Sequence, residues 1–207
     1  MILSFPASAN TPEDDAADAE LVLRARQGTL PERHKAYTVL VTRYQGFVRS
    51  MLLGLTRQPA LADDLTQDTF LTAWQKMNTL VEPQKFGGWL KQLAYRHFLH
   101  SYRRKQTEQK HQPEAADVVV DTQEIVDTDA QLNELLALCT PLEREIMVLC
   151  YGFEFTLKEI ADSRGMALGT VKSHVHRAKM KMQKKLEQTQ TIADGTGSKN
   201  HGLQRVR

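Results

Sequence analysis

Residues 140–186 read TPLEREIMVLCYGFEFTLKEIADSRGMALGTVKSHVHRAKMKMQKKL, and the punctuation of this stretch decides the fold. Apolar residues recur at helical spacing through Ile146, Met147 and Leu149 to Gly152, and two further helices follow, over 157–164 and 168–187. Gly165 stands between them, where a helix C-terminus commonly takes a left-handed residue. Helix, short glycine turn and second helix form a helix-turn-helix layout, which requires the second helix to bury one face and offer the other to a groove. Leu168, Val171, Val175, Ala178 and Met182 fall on one side, where they are expected to pack against Leu157, Ile160 and Ala161. Gly169, Ser173, His176, Arg177 and Met180 fall opposite, with Thr170 and Lys172 at the margin. Lysine and hydroxyl donors suit phosphates, and the planar fork of Arg177 suits guanine edges. A plain helical hairpin with a solvated basic face has the same spacing.

Toward the N-terminus the helical rhythm resumes at Ala130 with Leu132, Leu135 and Leu136, and is interrupted before Pro141. Residues 105–128 hold few large apolar groups and dense charge, so they cannot bury enough surface to offset chain entropy. Val118–Val120 is a short apolar knot inside that segment. Helical spacing then runs from Asp14: Leu21, Val22 and Ala25, followed by Tyr37, Leu40, Val41, Tyr44, Val48, Met51 and Leu52, with Gly54 and Pro59 as punctuation. A helix from near Leu61 carries Phe70, Ala73, Trp74 and Met77 on one face and stops before Pro83. Another covers about 86–104 with Trp89, Leu90, Leu93 and Phe98. The expected organisation is all-α: a disordered N-terminus over 1–13, a helical domain over 14–106, a flexible acidic linker over 107–128, a helix-turn-helix domain over 129–188 and a disordered tail over 189–207.

Charge is sorted along this framework. Lysine plus arginine total 27 and aspartate plus glutamate 25, a net of +2, yet residues 85–110 carry seven bases against Glu108 alone. Residues 113–134 then hold seven acids and no base, and 158–187 return to eight bases against three acids. Basic blocks of this kind suit phosphate binding, and solvated lysine-rich faces produce them too. At 41% hydrophobic and 25% charged the chain has an ordinary globular balance. No stretch approaches the roughly 20 apolar residues of a bilayer-spanning helix, so a cytoplasmic protein without a membrane span is expected.

Two constellations remain in the first domain. Asp64, Gln67, Asp68 and Leu71 share a stripe of the helix after Pro59, away from Phe70 and Trp74. Such a stripe wants a basic partner, or is a solvated helix start favoured by its macrodipole. Trp89, Arg96 and Arg103 recur at i, i+7 and i+14, followed by Arg104, and an aromatic paired with cations holds unstacked bases and single-stranded backbone. Core packing is the other reading of Trp89. Metal chemistry is not expected: in His174-Val175-His176 the two rings point in nearly opposite directions from the helix. Cys139 and Cys150 are too few for a disulfide framework and read as packing. No nucleophile elbow, phosphate loop or paired-carboxylate cleft stands out, so neither catalysis nor a cofactor is expected.

The string from Thr140 resembles region 4 of bacterial sigma factors, especially the extracytoplasmic-function (ECF) group. The likeness lies in Pro141-Leu142-Glu143-Arg144, in Lys158-Glu159-Ile160-Ala161, and in Gly169-Thr170-Val171-Lys172-Ser173 followed by His176-Arg177-Ala178. Output domains of LuxR-type response regulators share part of it. ADDLTQDTFLTAW at 62–74 is similar to sigma region 2.2, and FGGWLKQLAYRHFLHSYRRK at 86–105 is similar to regions 2.3 and 2.4. The resemblance covers about residues 18–187 and implies an RNA polymerase subunit in the sigma-70 family. Asp64, Gln67, Asp68 and Leu71 would meet the beta-prime clamp helices of core polymerase. Gln84 and Lys85 in the 79–85 loop, with Trp89, Arg96, Arg103 and Arg104, would meet promoter DNA at the −10 element. Thr170, Lys172, Ser173, His176 and Arg177 would read the −35 element. The beta flap and an anti-sigma protein would be further partners, and the acidic linker would thread the polymerase cleft and be displaced by growing RNA. Arg96 and His100 depart from the pattern, since many members carry asparagine and aspartate there. A sigma-mimicking regulator that sequesters an anti-sigma protein would share most of these features; a helix-turn-helix repressor would share only the second half and would leave ADDLTQDTF unexplained.

Overall fold

The structure, a computed structural model, describes residues 12–111 and 130–196. The first eleven residues, most of the acidic linker and the last eleven residues lie outside the described residues. Eight α-helices are described: α1 (Pro12–Gln27), α2 (Leu30–Thr56), α3 (Pro59–Lys76), α4 (Phe86–His111), α5 (Ala130–Ala137), α6 (Pro141–Met147), α7 (Leu157–Arg164) and α8 (Leu168–Thr196). Helices α1–α4 belong to one compact unit and α5–α8 to another. No strand occurs among the described residues, in keeping with the all-α expectation.

Local chemistry sets the ends of α2. The Thr29 amide donates to the Glu32 carboxylate at 2.8 Å, satisfying a donor the helix start would leave orphaned. Gly28 permits the tight entry: a Cβ there would lie 2.8 Å from the Arg24 carbonyl oxygen and 3.0 Å from Glu32 Cβ. Arg57 closes the helix in the left-handed region at φ 55°, its N–H reaching the Leu53 carbonyl, and Pro59 opens α3.

The buried face of α2, formed by Ala36, Leu40, Tyr44, Val48, Met51 and Leu52, packs against α1, α3 and α4, which contribute Val22, Phe70, Phe86, Leu90 and Tyr95 to the core. Asp18 of α1 is fully buried and accepts from Arg43 Nη1 at 2.5 Å and from the Tyr44 hydroxyl, and this pairing is what makes a buried carboxylate tolerable. Arg26, in the last turn of α1, donates through Nε and Nη2 to the Met77 carbonyl at 3.0 and 2.5 Å, and through Nη2 to the Leu80 carbonyl. It thereby pins the α3–α4 connection, which contains two 3₁₀ turns, Met77–Thr79 and Pro83–Lys85. Helix α4 runs to His111, past the expected boundary at 106, because QTEQKH contains good helix formers and neither glycine nor proline.

In the second unit α6 starts on a capping box, with the Thr140 amide donating to Glu143 at 2.9 Å and the Glu143 amide returning to Thr140 Oγ1 at 3.3 Å. It ends in a π-helical turn, Val148–Gly152. A second box, Thr156 with Glu159, starts α7, and Gly165 ends it at φ 67°, the left-handed position the sequence indicated. Val171, Val175 and Ala178 of α8 are buried, and α8 packs on α6 and α7. Leu168 departs from the expected buried stripe and is 40% exposed. It is the first residue of α8, and helical side chains lean toward the N-terminus, so it overhangs the turn rather than the core. Helix α8 continues past the expected end at 187 because residues 184–194 contain no glycine or proline to stop it.

Candidate functional site

On α8 the two faces anticipated from spacing separate as required for groove reading. Thr170, Lys172, Ser173, His176 and Arg177 are all exposed, while Val171, Val175 and Ala178 between them are buried. The Ser173 hydroxyl donates back to the Gly169 carbonyl at 2.9 Å, which leaves its oxygen facing solvent. Arg177 differs from a fork pointing only at solvent. Its Nε lies 3.5 Å from Glu143 Oε1 and its Nη2 is 3.0 Å from His174 Nδ1. The reason is packing: Ala178 has no bulk, α6 approaches closely there, and the flanking long cations Arg177 and Lys181 reach across to one carboxylate.

That carboxylate, Glu143, is 2% exposed and accepts from Lys181 Nζ at 2.6 Å as well as from the Thr140 amide. Burial resists its ionisation, but the Lys181 hydrogen bond, the Thr140 amide and the ammonium charge outweigh it and hold the carboxyl down to about 2. A pKa lowered on folding stabilises the fold above the ordinary value near 4.5, and that stability drains away as pH falls from there toward 2. Glu143→Gln should therefore flatten the acid limb, removing about 2–3 kcal/mol of pH-dependent stability. Urea unfolding followed at steps from about pH 6 to about pH 3 measures it.

In the first unit, Asp64, Gln67, Asp68 and Leu71 form one exposed stripe on α3, with Leu71 62% exposed. Neighbouring Asp63 faces elsewhere and pairs with Arg49 of α2 at 2.6 Å. Among the described residues neither Asp64 nor Asp68 takes part in an ion pair, so the stripe keeps its negative charge for solvent or a partner.

Arg96, Arg103 and Arg104 are exposed along α4. Trp89 is half-buried, its ring centroid 5.9 Å from that of the fully buried Phe86. In the connecting loop Gln84 and Lys85 are exposed but turned toward Glu82, Lys85 Nζ at 2.7 Å from its carboxylate and Gln84 Nε2 at 3.5 Å. Val81, which sequence reading passed over, is 90% exposed beside the buried Leu80. Nothing local marks it; only the Arg26 clamp fixes which of the two adjacent apolar residues turns inward. Arg26 and Glu143 were equally invisible, since their partners lie 51 and 38 residues away in the chain.

The sulfurs and imidazoles add no further site. Burial pushes the Cys139 thiol up and the Cys150 thiol up to about 11, so both stay protonated near neutrality. Among the described residues no group of histidine, cysteine and carboxylate side chains is arranged to hold a metal ion. No helix among them is long and apolar enough to cross a membrane.

Comparison with known proteins fits this arrangement. A family model for sigma-70 region 2 matches residues 40–108 and one for sigma-70 region 4 matches residues 129–182. A probable RNA polymerase sigma factor of Xanthomonas campestris is 28% identical over 180 residues, covering 78% of this chain and 43% of its own length, so the chain spans under half of that relative. The ECF RNA polymerase sigma-E factor of Haemophilus influenzae is 26% identical over 197 residues, covering 84% of this chain and 97% of that one. Two solved structures share the fold. The sigma factor RpoE in complex with the anti-sigma factor NepR from Bartonella quintana has a TM-score of 0.55 at 23% identity, covering 74% of this chain and 98% of its own. CnrH in complex with the cytosolic domain of CnrY has a TM-score of 0.54 at 21% identity, covering 83% and 97%. With region 2 and region 4 matched in that order over more than half of its residues, the chain belongs to the sigma-70 family of RNA polymerase sigma factors, in its ECF group.

Proposed function

We propose that this chain joins core RNA polymerase and directs transcription initiation, with the α3 stripe on the beta-prime clamp helices, α4 and the 79–85 loop on the −10 element, and α8 on the −35 element. What carries the reading is the coexistence in one chain of an exposed acidic stripe in the region 2 match and an exposed basic reading face in the region 4 match. It acts as an adaptor in the cytoplasm and catalyses nothing itself. Two modest DNA-contact surfaces held on one polymerase multiply their affinities, since binding at the second becomes intramolecular. The beta flap would receive the second unit, and an anti-sigma protein would hold the chain in check. Support for the latter is that both structural relatives are complexes with such a partner or a cytosolic domain. The boundaries proposed for the two working domains remain 14–106 and 129–188, with the acidic segment between them as linker.

The test is to add the purified chain to core polymerase and look for promoter-dependent transcripts; their absence overturns the reading. On the −35 side, Lys172→Ala should weaken DNA binding across all sequences and reduce the log–log salt slope by about one unit. Arg177→Ala should instead cost roughly 1–3 kcal/mol, concentrated at particular bases. Full −35 discrimination in both variants would move the reading face off α8.

A further inference from the structure

We propose that Glu143 of α6, itself buried, sets the discrimination of the reading helix by holding Arg177 in one orientation. The inference rests on the −35 reading above and adds a positioning residue to it.

The geometry is that of a tether. Glu143 is itself fixed on two sides, by Lys181 Nζ at 2.6 Å and by the Thr140 amide at 2.9 Å, and presents its remaining oxygen to Arg177 Nε at 3.5 Å. Arg177 straddles the boundary: its Nε edge faces Glu143 while its side chain remains 54% exposed. His174 takes Nη2 at 3.0 Å from the same helix, so the guanidinium plane is held from both sides. An arginine loose on a helix surface loses its rotamer freedom when it meets a base; one already aligned loses less and presents its fork in a fixed plane. The same carboxylate offsets positive charge on the reading face, which lowers attraction to any phosphate backbone. Glu143 therefore acts in opposite directions on two measurable quantities: it raises preference for the right bases and lowers affinity for DNA in general. A residue that only kept the unit folded would move both the same way.

Glu143→Gln separates these roles, because the single amide oxygen of glutamine can still accept from the Thr140 amide at the helix start while the charge and the acceptor that faces Arg177 are lost. The full chain loaded on core polymerase is assayed on a duplex selected from a random library by the wild-type holoenzyme, and on a scrambled duplex. The expected result is binding to the scrambled duplex that rises, with a salt slope steeper by roughly one unit. The selected-to-scrambled ratio falls on the order of tenfold. Combining Glu143→Gln with Arg177→Ala should lower the ratio no further than Arg177→Ala alone. Should the single variant melt below the assay temperature, Glu143→Gln with Lys181→Gln removes the tether with no net change in the charge of the face, so the selected-to-scrambled ratio should still fall while the salt slope holds. An unchanged ratio, or parallel loss on both duplexes, overturns the proposal while leaving the −35 reading intact. If the wild-type holoenzyme itself selects nothing, it is that reading which fails.

Discussion

A chain carrying Asp64→Ala and Asp68→Ala together is expected to lose core polymerase affinity by on the order of a hundredfold or more, with its fold unchanged. The size follows from what the stripe offers. Two carboxylates one helical turn apart, with Gln67 between them and Leu71 62% exposed below, present charge and an apolar anchor on a single face of α3. Neither carboxylate is engaged in an ion pair among the described residues, so removing them leaves nothing inside the unit unpaired, and the loss falls on the partner side. Cationic groups of the partner that are desolvated on docking would be left without counter-charge, and that penalty exceeds the value of an exposed pair. Asp63→Ala is the internal control. Its carboxylate already belongs to Arg49, both partners are roughly half exposed, and an exposed pair is worth under about 1 kcal/mol, so core affinity should hold. Fluorescence anisotropy titration of labelled full-length chain with core enzyme measures all three. Unimpaired binding by the double variant would move the clamp contact away from α3.

The second large effect is expected from Arg164→Ala, which should unfold most of the second unit. Glu145 of α6 is buried, its side chain 7% exposed, and its carboxylate receives both Nε and Nη2 of Arg164, the former at 2.8 Å. Truncating the arginine takes the bidentate counter-charge away from a buried carboxylate, a loss of up to about 3–5 kcal/mol. A unit of about 60 residues has only a few kcal/mol to lose, since small domains bury a modest share of their surface. The readout is hydrogen exchange on the full chain: amide protection should collapse across α6–α8 and persist across α1–α4. Removing both charges, as Glu145→Leu with Arg164→Met, should restore much of that protection, because two apolar groups of similar bulk carry no charge to desolvate. Protection that survives Arg164→Ala would mean the pair contributes little.

These two expectations differ in how far they could be foreseen. The α3 stripe was legible from spacing, because three- and four-residue steps on a helix fix which residues share a face, and exposure of Asp64, Gln67, Asp68 and Leu71 follows once Phe70 and Ala73 are buried. The α7–Gly165–α8 turn was legible for the same reason: a left-handed glycine and an apolar period both act within a few residues. The Glu145–Arg164 pair was not. Both residues sit in helices whose sequences look amphipathic without it, and a charged residue at a partly apolar position reads as solvated unless its distant partner is known. Leu168 failed in the opposite sense, its period assigning it to the core although the helix had barely begun.

Read alone, the amino-acid order settled the all-helical class, the succession of most of the helices and the family likeness, because helical period and glycine or proline breaks are properties of neighbours. Only the packed structure settled which charges remain available to a partner. It gives Arg26 to the carbonyls of Met77 and Leu80, commits Asp63 to Arg49, and draws Arg177 toward Glu143 while leaving Lys172 and His176 exposed. The physical reason is that a buried carboxylate or guanidinium must find its counterpart wherever helices cross, and a crossing brings together residues that the chain keeps far apart.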